Sequence, residues 1–176
     1  NKLITVGIPA YKAESHICDC LSSIQIQSIR DELSVIIGKD NPEDDYEFVK
    51  ERFPELDITI LDCKENTGPG LARQRCEDAC KTEWITFIDA DDVFISPYSL
   101  ESLKNNITPN CVEVMGTFFQ EVEQGNLNAA QKQQIIQSGG QVPPRMMPRN
   151  DVGNPWVFGK LYNVKFLSFK THIYLL

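Results

Sequence analysis

The chain has 176 residues, of which 41% are hydrophobic and 24% are charged, as in an ordinary soluble globular protein that can bury a sizeable core. Its net charge of −8 argues against non-specific affinity for nucleic acid or for an anionic membrane surface. No apolar run approaches the roughly 20 residues that cross a bilayer, so we expect no transmembrane segment.

Strand and helix patterns alternate along the first hundred residues. Short apolar, β-branched runs predict four buried strands at 3–8, 33–37, 58–61 and 84–88, the first of them ended by Pro9. Helical patterns lie between them at 15–24, capped by Ser15, then at 44–53 and 69–80, and another follows Ser96-Pro97 as far as Asn105. Strands separated by helices predict an α/β fold, with a Rossmann-like, doubly wound, mostly parallel sheet and helices on both faces.

The pattern is weaker beyond residue 105. Residues 111–121 alternate enough to predict a strand, and the polar, Gln- and Asn-rich residues 125–137 predict an exposed helix. Residues 139–155 contain four prolines and three glycines, so we expect a mobile loop there. An apolar, aromatic pattern returns at 156–169. We interpret residues 1–176 as one domain.

The cysteines and histidines indicate no metal site. The six cysteines form no C-x-x-C pair and lack the spacing of zinc ligands, so we expect reduced thiols, in or near the core, of a cytoplasmic protein. His16 and His172 are far apart, and we expect a surface or capping role for His16. The chain shows no signal peptide and does not begin with Met, which suggests a trimmed N-terminus.

The segment 84–92 joins an apolar strand to three carboxylates, Asp89, Asp91 and Asp92, which we call the acidic cluster. Open α/β sheets bind ligands at the carboxyl ends of their strands, where this cluster is expected. Anions this close raise one another's pKa unless a cation lies among them. If the chain bends after the strand, Asp89 and Asp91 can reach one Mg²⁺ or Mn²⁺ ion. The ordinary alternative is a solvated acidic turn.

The loops after the first three strands carry side chains that complement such a metal. An aromatic ring can lie against a base or ribose, and an isolated acid can accept a hydrogen bond from a base N–H. A helix N-terminus with an arginine can bind phosphate. Each residue alone also has an ordinary structural explanation, but together, at successive strand ends, they predict a nucleoside diphosphate site. The loops supply Pro9, Ala10, Tyr11, Asp40 and Arg73.

Five segments of the sequence occur in a distinctive order: IPAYKA at 8–13, QS at 27–28, NTGPGLARQ at 66–74, FIDADD at 87–92 and WVFGKLYNVKFL at 156–167. This order resembles the family 2 glycosyltransferases of the GT-A fold. Their motifs are P-x-Y-N-A, Q-[ST], N-x-G-x-x-x-A-R-N, a DxD-type motif and W-x-K-x-Y-x-x-x-F-L. The resemblance covers about the first hundred residues and resumes at 156–167.

The resemblance implies transfer of a sugar from a nucleoside diphosphate sugar, usually a UDP-sugar, to an acceptor hydroxyl with inversion. It implies Mn²⁺ or Mg²⁺ as cofactor and a saccharide, lipid-linked or protein acceptor. Residues 1–105 would be the nucleotide-binding half of the domain, and 106–176 a partial acceptor-side half. Asp91 and Asp89 would hold the metal. By position, the nucleotide site would comprise Pro9, Ala10, Tyr11, Asp40, Arg73, Asp89 and Ala90, with Asp40 on uracil.

The chain departs from the family pattern at several positions. Lys39 stands where the first acid of a D-D-x-S turn is usual, and Lys12 and Gln74 replace asparagines. The family's general base lies in an acidic pair beyond the F-L segment, but no acid follows Asp151 here. Three explanations stay open: a truncated chain, missing residues or a lost base. We therefore assign no catalytic residue.

Three other functions were weighed against glycosyl transfer. A nucleotide-sugar-binding module without turnover suits a missing base. A sugar nucleotidyltransferase requires a glycine-rich, basic loop after the first strand, which residues 8–11 do not provide. An interaction domain with a solvated acidic cluster would bind no nucleotide in a metal-dependent way.

Overall fold

The computed structural model describes residues 1–116 and 159–167, and all of its strands and helices belong to one compact unit. The strands are β1 (Ile4–Ala10), β2 (Leu33–Lys39), β3 (Ile58–Leu61), β4 (Trp84–Phe87), β5 (Glu113–Met115) and β6 (Lys160–Asn163). They form a single sheet in the order β3-β2-β1-β4-β6-β5.

The first four strands are the parallel part of this sheet. β1 lies between β2 and β4, and β2 pairs with β3, all in parallel, so that Val6 is opposite both Val35 and Thr86. β6 is antiparallel to β4 and to β5, between which it lies. The predicted mostly parallel α/β sheet is confirmed, with an antiparallel pair added at one edge.

Helices cover both faces of the sheet, as predicted. They are α1 (Ile17–Gln25), α2 (Phe48–Arg52), α3 (Pro69–Asp78), α4 (Ser99–Lys104) and α5 (Val164–Leu167), with a 3₁₀ turn at Arg30–Glu32. On one face Ile8 packs in a cluster with residues of α1 and α4, including Leu21 and Leu100. A second cluster joins Phe87 of β4 to Cys76 of α3 and Leu167 of α5. Strand side chains therefore enter two cores.

Glycine lets α3 approach the centre of the sheet closely. A Cβ atom added to Gly38 of β2 would lie 2.8 Å from the Cys76 sulfur and 2.9 Å from the Ala72 carbonyl oxygen. Real Cβ atoms do not approach other heavy atoms that closely, so a larger residue would push α3 away. This contact sets the start of α3 beside the end of β2.

Pro9 does not end the first strand, which continues to Ala10. The Gly7 carbonyl accepts a hydrogen bond from Ile88 on the β4 side, and by alternation Pro9 faces the same side. Pairing with β4 stops at Gly7 opposite Phe87. The missing N–H of Pro9 therefore costs no ladder hydrogen bond, and the prediction of a strand ended there was wrong.

The predicted helix starts also need correction. His16, not Ser15, precedes the first residue of α1, and its side chain makes no capping hydrogen bond. After Ser96-Pro97 the helix begins only at Ser99, and the Ser96 hydroxyl accepts a hydrogen bond from the backbone N–H of Tyr98 in the turn before it. The predicted helix 44–53 is confined to α2, which begins at Phe48.

Several predictions fall partly or wholly on other parts of the chain. Of the predicted strand 111–121, Glu113–Met115 is observed, and residues from 117 lie outside the described residues. The predicted helix 125–137 and loop 139–155 also lie outside them. All six cysteines are free thiols, and Cys20 and Cys76 are buried. Within residues 1–116 and 159–167, no helix is long and apolar enough to cross a membrane.

Candidate functional site

A cleft of about 410 Å³ opens at the carboxyl ends of the parallel strands. It lies where the strand order changes direction between β1 and β4, the usual ligand position in such sheets. The structure brings every residue predicted for the site to this cleft, while what each one binds stays a prediction. The predicted residues that line it are Pro9, Ala10, Tyr11, Asp40, Arg73, Asp89, Ala90 and Asp91.

Asp40 lines one side of the cleft. Thr67 and Arg75 contact Asp40, and we call the three residues the buried wall. Asp40 is only 3% exposed. Its Oδ1 accepts hydrogen bonds from the Thr67 backbone N–H, at 2.9 Å, and from the Thr67 hydroxyl, at 3.0 Å. Arg75 Nη2 lies 3.5 Å from the same oxygen. These contacts fix the carboxylate and leave its Oδ2 without a hydrogen bond to any described residue.

Arg75 holds the buried wall together, a role that the sequence analysis did not assign. It donates to the Thr67 hydroxyl at 2.8 Å and to the Lys39 carbonyl at 2.5 Å. Residues two apart on a helix point about 200° apart, so Arg73 and Arg75 could have been expected to serve different neighbours. Lys39, which replaces the family's usual acid, pairs with Asp62 at 2.9 Å, and this hydrogen bond raises the Lys39 pKa.

Asp44 and Tyr46, which were predicted to be helical, instead lie buried in the loop before α2 and hold the loop between β1 and α1. Asp44 Oδ2 accepts hydrogen bonds from the Lys12 backbone N–H, at 2.6 Å, and from the Tyr46 hydroxyl, at 2.9 Å. That hydroxyl in turn accepts from the Ala13 N–H at 3.0 Å. Burial is the main reason why the pKa of Tyr46 is raised. The loop that carries Tyr11 is thus held by hydrogen bonds to Asp44 and Tyr46.

Lys12 has a backbone conformation that asparagine adopts more readily than lysine does. Its φ of 49° lies in the left-handed region, which Asn adopts more readily than other non-glycine residues. The hydrogen bond to Asp44 holds the backbone in this conformation. The Lys12 ammonium lies 5.3 Å from the centre of the Tyr11 ring, and that ring is 50% exposed in the cleft. Tyr11 therefore presents a half-exposed ring to the cleft, with the Lys12 ammonium over the ring.

The acidic cluster forms the opposite kind of surface. A turn follows β4, with the Asp92 N–H bonded to the Asp89 carbonyl, so the predicted bend is present. Asp89 Oδ1 lies 2.6 Å from Arg73 Nη2. Asp91 is exposed and makes no ion pair or hydrogen bond with any described residue. The Asp92 pKa is raised by partial desolvation and by the charges of Asp89 and Asp91, as expected for anions in close proximity.

Gln27, part of the Q-S motif, supports the segment that follows the acidic cluster. Its buried side-chain amide donates to the Ser23 carbonyl at 3.0 Å and to the Ser96 carbonyl at 2.8 Å, and it accepts from the Leu100 N–H at 3.1 Å. The adjacent Ser28 N–H bonds to the Pro97 carbonyl. The motif therefore joins α1 to the residues between the acidic cluster and α4.

The acidic cluster fits a hard divalent cation. Mg²⁺ and similar ions commonly use one or two protein carboxylates and take their other ligands from substrate phosphates and water. Asp91 is exposed to the cleft, and Asp89 keeps one oxygen free of Arg73. Within the part of the chain that the structure describes, no group of three His, Cys, Asp or Glu side chains could hold a metal alone. A cation here would therefore need the phosphates of a ligand.

Comparison with known proteins places the chain in a family. The sequence model of Glycosyl transferase family 2 matches residues 5–168. Glycosyltransferase GlyA of Streptococcus pneumoniae is 32% identical over 118 residues, which are 66% of this chain and 17% of GlyA. The chain thus spans less than a fifth of that relative's length.

Solved structures share the fold. S. aureus TarS superposes with a TM-score of 0.70 at 20% identity, over 96% of this chain and 49% of that one, and a further structure holds TarS in complex with UDP-GlcNAc. The mannosyltransferase PcManGT from Pyrobaculum calidifontis, in complex with GDP-Man and Mn²⁺, gives a TM-score of 0.58 at 23% identity, over 64% of this chain and 34% of its own. The chain belongs to Glycosyl transferase family 2 and has the GT-A fold.

Proposed function

We propose that the cleft binds a UDP-sugar and that the chain is the donor-binding part of a metal-dependent, inverting glycosyltransferase. The observation that carries the proposal is the meeting of Tyr11, Asp40, Arg73 and Asp91 in one cleft, each from the loop or helix after a different parallel strand. Family membership supports sugar transfer as the reaction. The complexes of TarS with UDP-GlcNAc and of PcManGT with GDP-Man support a nucleoside diphosphate sugar as the donor.

We assign different residues of the cleft to different parts of the donor. Tyr11 lies against the base or ribose, with Pro9 and Ala10 beneath. The free Oδ2 of Asp40 accepts a hydrogen bond from the uracil N–H, since Oδ1 is held by Thr67. Arg73 and the N-terminus of α3 bind the negatively charged diphosphate, because helix N-termini and guanidinium groups bind phosphate. Asp89, Ala90 and Asp91 form the wall beside the diphosphate.

Asp89 and Asp91 would hold Mn²⁺ or Mg²⁺ on the diphosphate, and the bound ion would neutralise charge on the leaving nucleoside diphosphate. The acceptor oxygen attacks the anomeric carbon from the face opposite the diphosphate, the bond to the diphosphate breaks, and a general base takes the acceptor's proton. We assign that base to no residue. The acceptor is a saccharide, lipid-linked or protein hydroxyl, and the free cysteines support a cytoplasmic location.

A pair of carboxylate variants tests the proposal. Asp91→Asn should lower the affinity for UDP in Mn²⁺ to the value measured in EDTA, with little change in the free energy of unfolding. Asp92→Asn is the matched control, because Asp92 belongs to the same turn but does not line the cleft. Calorimetric titration of UDP measures both. Unchanged UDP affinity of Asp91→Asn in Mn²⁺, or an equal loss in both variants, would contradict the metal assignment.

A further inference from the structure

Arg73 has an anionic partner within the protein. Its Nη2 lies 2.6 Å from Asp89 Oδ1, and its side chain is 13% exposed. Its Nε, like that of Arg75, is buried and has no hydrogen-bond partner among the described residues. Buried polar atoms are rarely left without a partner. The guanidinium is therefore held at one nitrogen and unsatisfied at another.

Arg73 is also the cation that balances the acidic cluster. Among residues 1–116 and 159–167, no other basic side chain forms an ion pair with Asp89, Asp91 or Asp92. The guanidinium of Arg73 contacts Asp89 Oδ1, one of the oxygens that could bind a metal ion. A divalent cation arriving alone would meet both the repulsion of the guanidinium and an occupied carboxylate oxygen.

We propose that Arg73 is an internal counter-ion, a positioning residue that occupies the place of a cation beside Asp89 until a diphosphate draws the guanidinium away. The inference rests on the proposed function, because the diphosphate is the anion that takes over Arg73. Guanidinium groups form strong, often bidentate hydrogen bonds with phosphate, and Arg73 already lines the cleft in which the diphosphate would lie.

Synergy between the two ligands is the measurable consequence. Once Arg73 turns to the diphosphate, Asp89 is free for the metal, so UDP and Mn²⁺ should each raise the affinity for the other by the same factor. Without nucleotide, Mn²⁺ should bind weakly. In this order of binding, Arg73 pairs with Asp89 before the nucleotide binds, and the metal ion takes that place afterwards.

Titration of Mn²⁺ without nucleotide, followed by electron paramagnetic resonance of the free ion, tests the pairing directly. Arg73→Gln should bind Mn²⁺ roughly fivefold or more tightly than the parent chain, in the range of typical coupling energies. Arg75→Gln is the matched control for binding of Mn²⁺ alone: it removes the same charge from the same helix, but Arg75 contacts Asp40, Thr67 and the Lys39 carbonyl and forms no ion pair with the acidic cluster. We expect less than about twofold from it, because salt screens more distant charges. Equal gains in the two variants, or no gain, would overturn the inference.

Two further measurements keep the test decisive. Thermal melting establishes that the variants fold. If Arg73→Gln does not fold, Arg73→Met removes the charge while keeping much of the side-chain length, and it should bind Mn²⁺ more tightly than the parent chain; no gain in that variant overturns the inference. Titration of UDP with and without Mn²⁺ gives the coupling factor, which should fall in Arg73→Gln. A parent chain that binds no UDP contradicts the proposed function, whereas metal-dependent UDP binding without the gain in Mn²⁺ affinity contradicts only the role of Arg73.

Discussion

The buried wall contributes Asp40 to the cleft and the acidic cluster contributes Asp89 and Asp91, but the two groups are built in opposite ways. In the buried wall, Asp40 is almost inaccessible, and its Oδ1 has hydrogen bonds from Thr67 and an ion pair with Arg75. In the acidic cluster, Asp91 is exposed, and partial desolvation together with the charges on Asp89 and Asp91 raises the pKa of Asp92. The Oδ1 of Asp40 is held by three contacts within the protein, whereas the three carboxylates of the acidic cluster share one ion-paired arginine among the described residues.

This difference separates recognition from charge neutralisation. A carboxylate that is already oriented loses little entropy when a base binds to its remaining oxygen, which favours affinity and selectivity. Carboxylates that repel one another are stabilised when a cation binds, and this makes binding depend on a metal. We therefore expect variants of the buried wall to lose stability and variants of Asp89 and Asp91 mainly to change ligand binding.

The largest loss of stability is expected from Gly38→Ala, which disturbs the packing of α3 on β2. The new Cβ would lie 2.9 Å from the Ala72 carbonyl oxygen, and a backbone atom cannot turn aside as a side chain can. Overpacking of this kind costs about 1–3 kcal/mol of the free energy of unfolding. Urea denaturation measures the loss, and a cost below about 0.5 kcal/mol would contradict the close packing of α3 on β2.

A smaller loss is expected from Tyr46→Phe. The change removes the hydroxyl that accepts from Ala13 and donates to Asp44, leaving buried polar groups without a partner, at a cost of about 1–2 kcal/mol. Tyr98→Phe is the control, because that side chain is 61% exposed and should change stability by less than about 0.5 kcal/mol. If the two variants melt at the same temperature, the loop between β1 and α1 does not depend on Tyr46.

The smallest effect is expected from Asp92→Asn and depends on pH. Because the Asp92 pKa is raised in the folded chain, the ionised carboxylate destabilises the fold above that pKa. Stability should rise as pH falls from the raised value towards the ordinary Asp pKa of about 3.9, below which the effect vanishes. At neutral pH the variant should be more stable by no more than about 0.5 kcal/mol. A difference from the parent chain that is constant between pH 7 and pH 4 in urea titrations would contradict this charge repulsion.

The sequence was most informative where neighbouring residues along the chain decide the local structure. Apolar β-branched runs predict the four parallel strands, because a strand covered on both faces must be apolar throughout. The position of the acidic cluster at a strand end follows from the same reasoning. Gly68-Pro69 correctly marks the beginning of α3, since Gly68 has a φ of 85° and Pro69 occupies the first turn.

Features that depend on tertiary contacts were not predictable in the same way. Asp44 looks like an ordinary polar residue until the fold places Lys12 and Tyr46 beside it. The ion pair of Arg73 with Asp89 joins residues on different elements, and no local pattern indicates it. The position of β6 between β4 and β5 likewise depends on how the chain returns to the sheet.

The most direct test of the account is a calorimetric titration of UDP into the parent chain, first with Mn²⁺ and then with EDTA. If the buried wall recognises the base and the acidic cluster takes a metal with the diphosphate, UDP should bind at least about tenfold more tightly in Mn²⁺, a difference of 1.4 kcal/mol. Equal affinity under the two conditions, or no binding in either, would contradict a metal-dependent nucleotide site in this cleft.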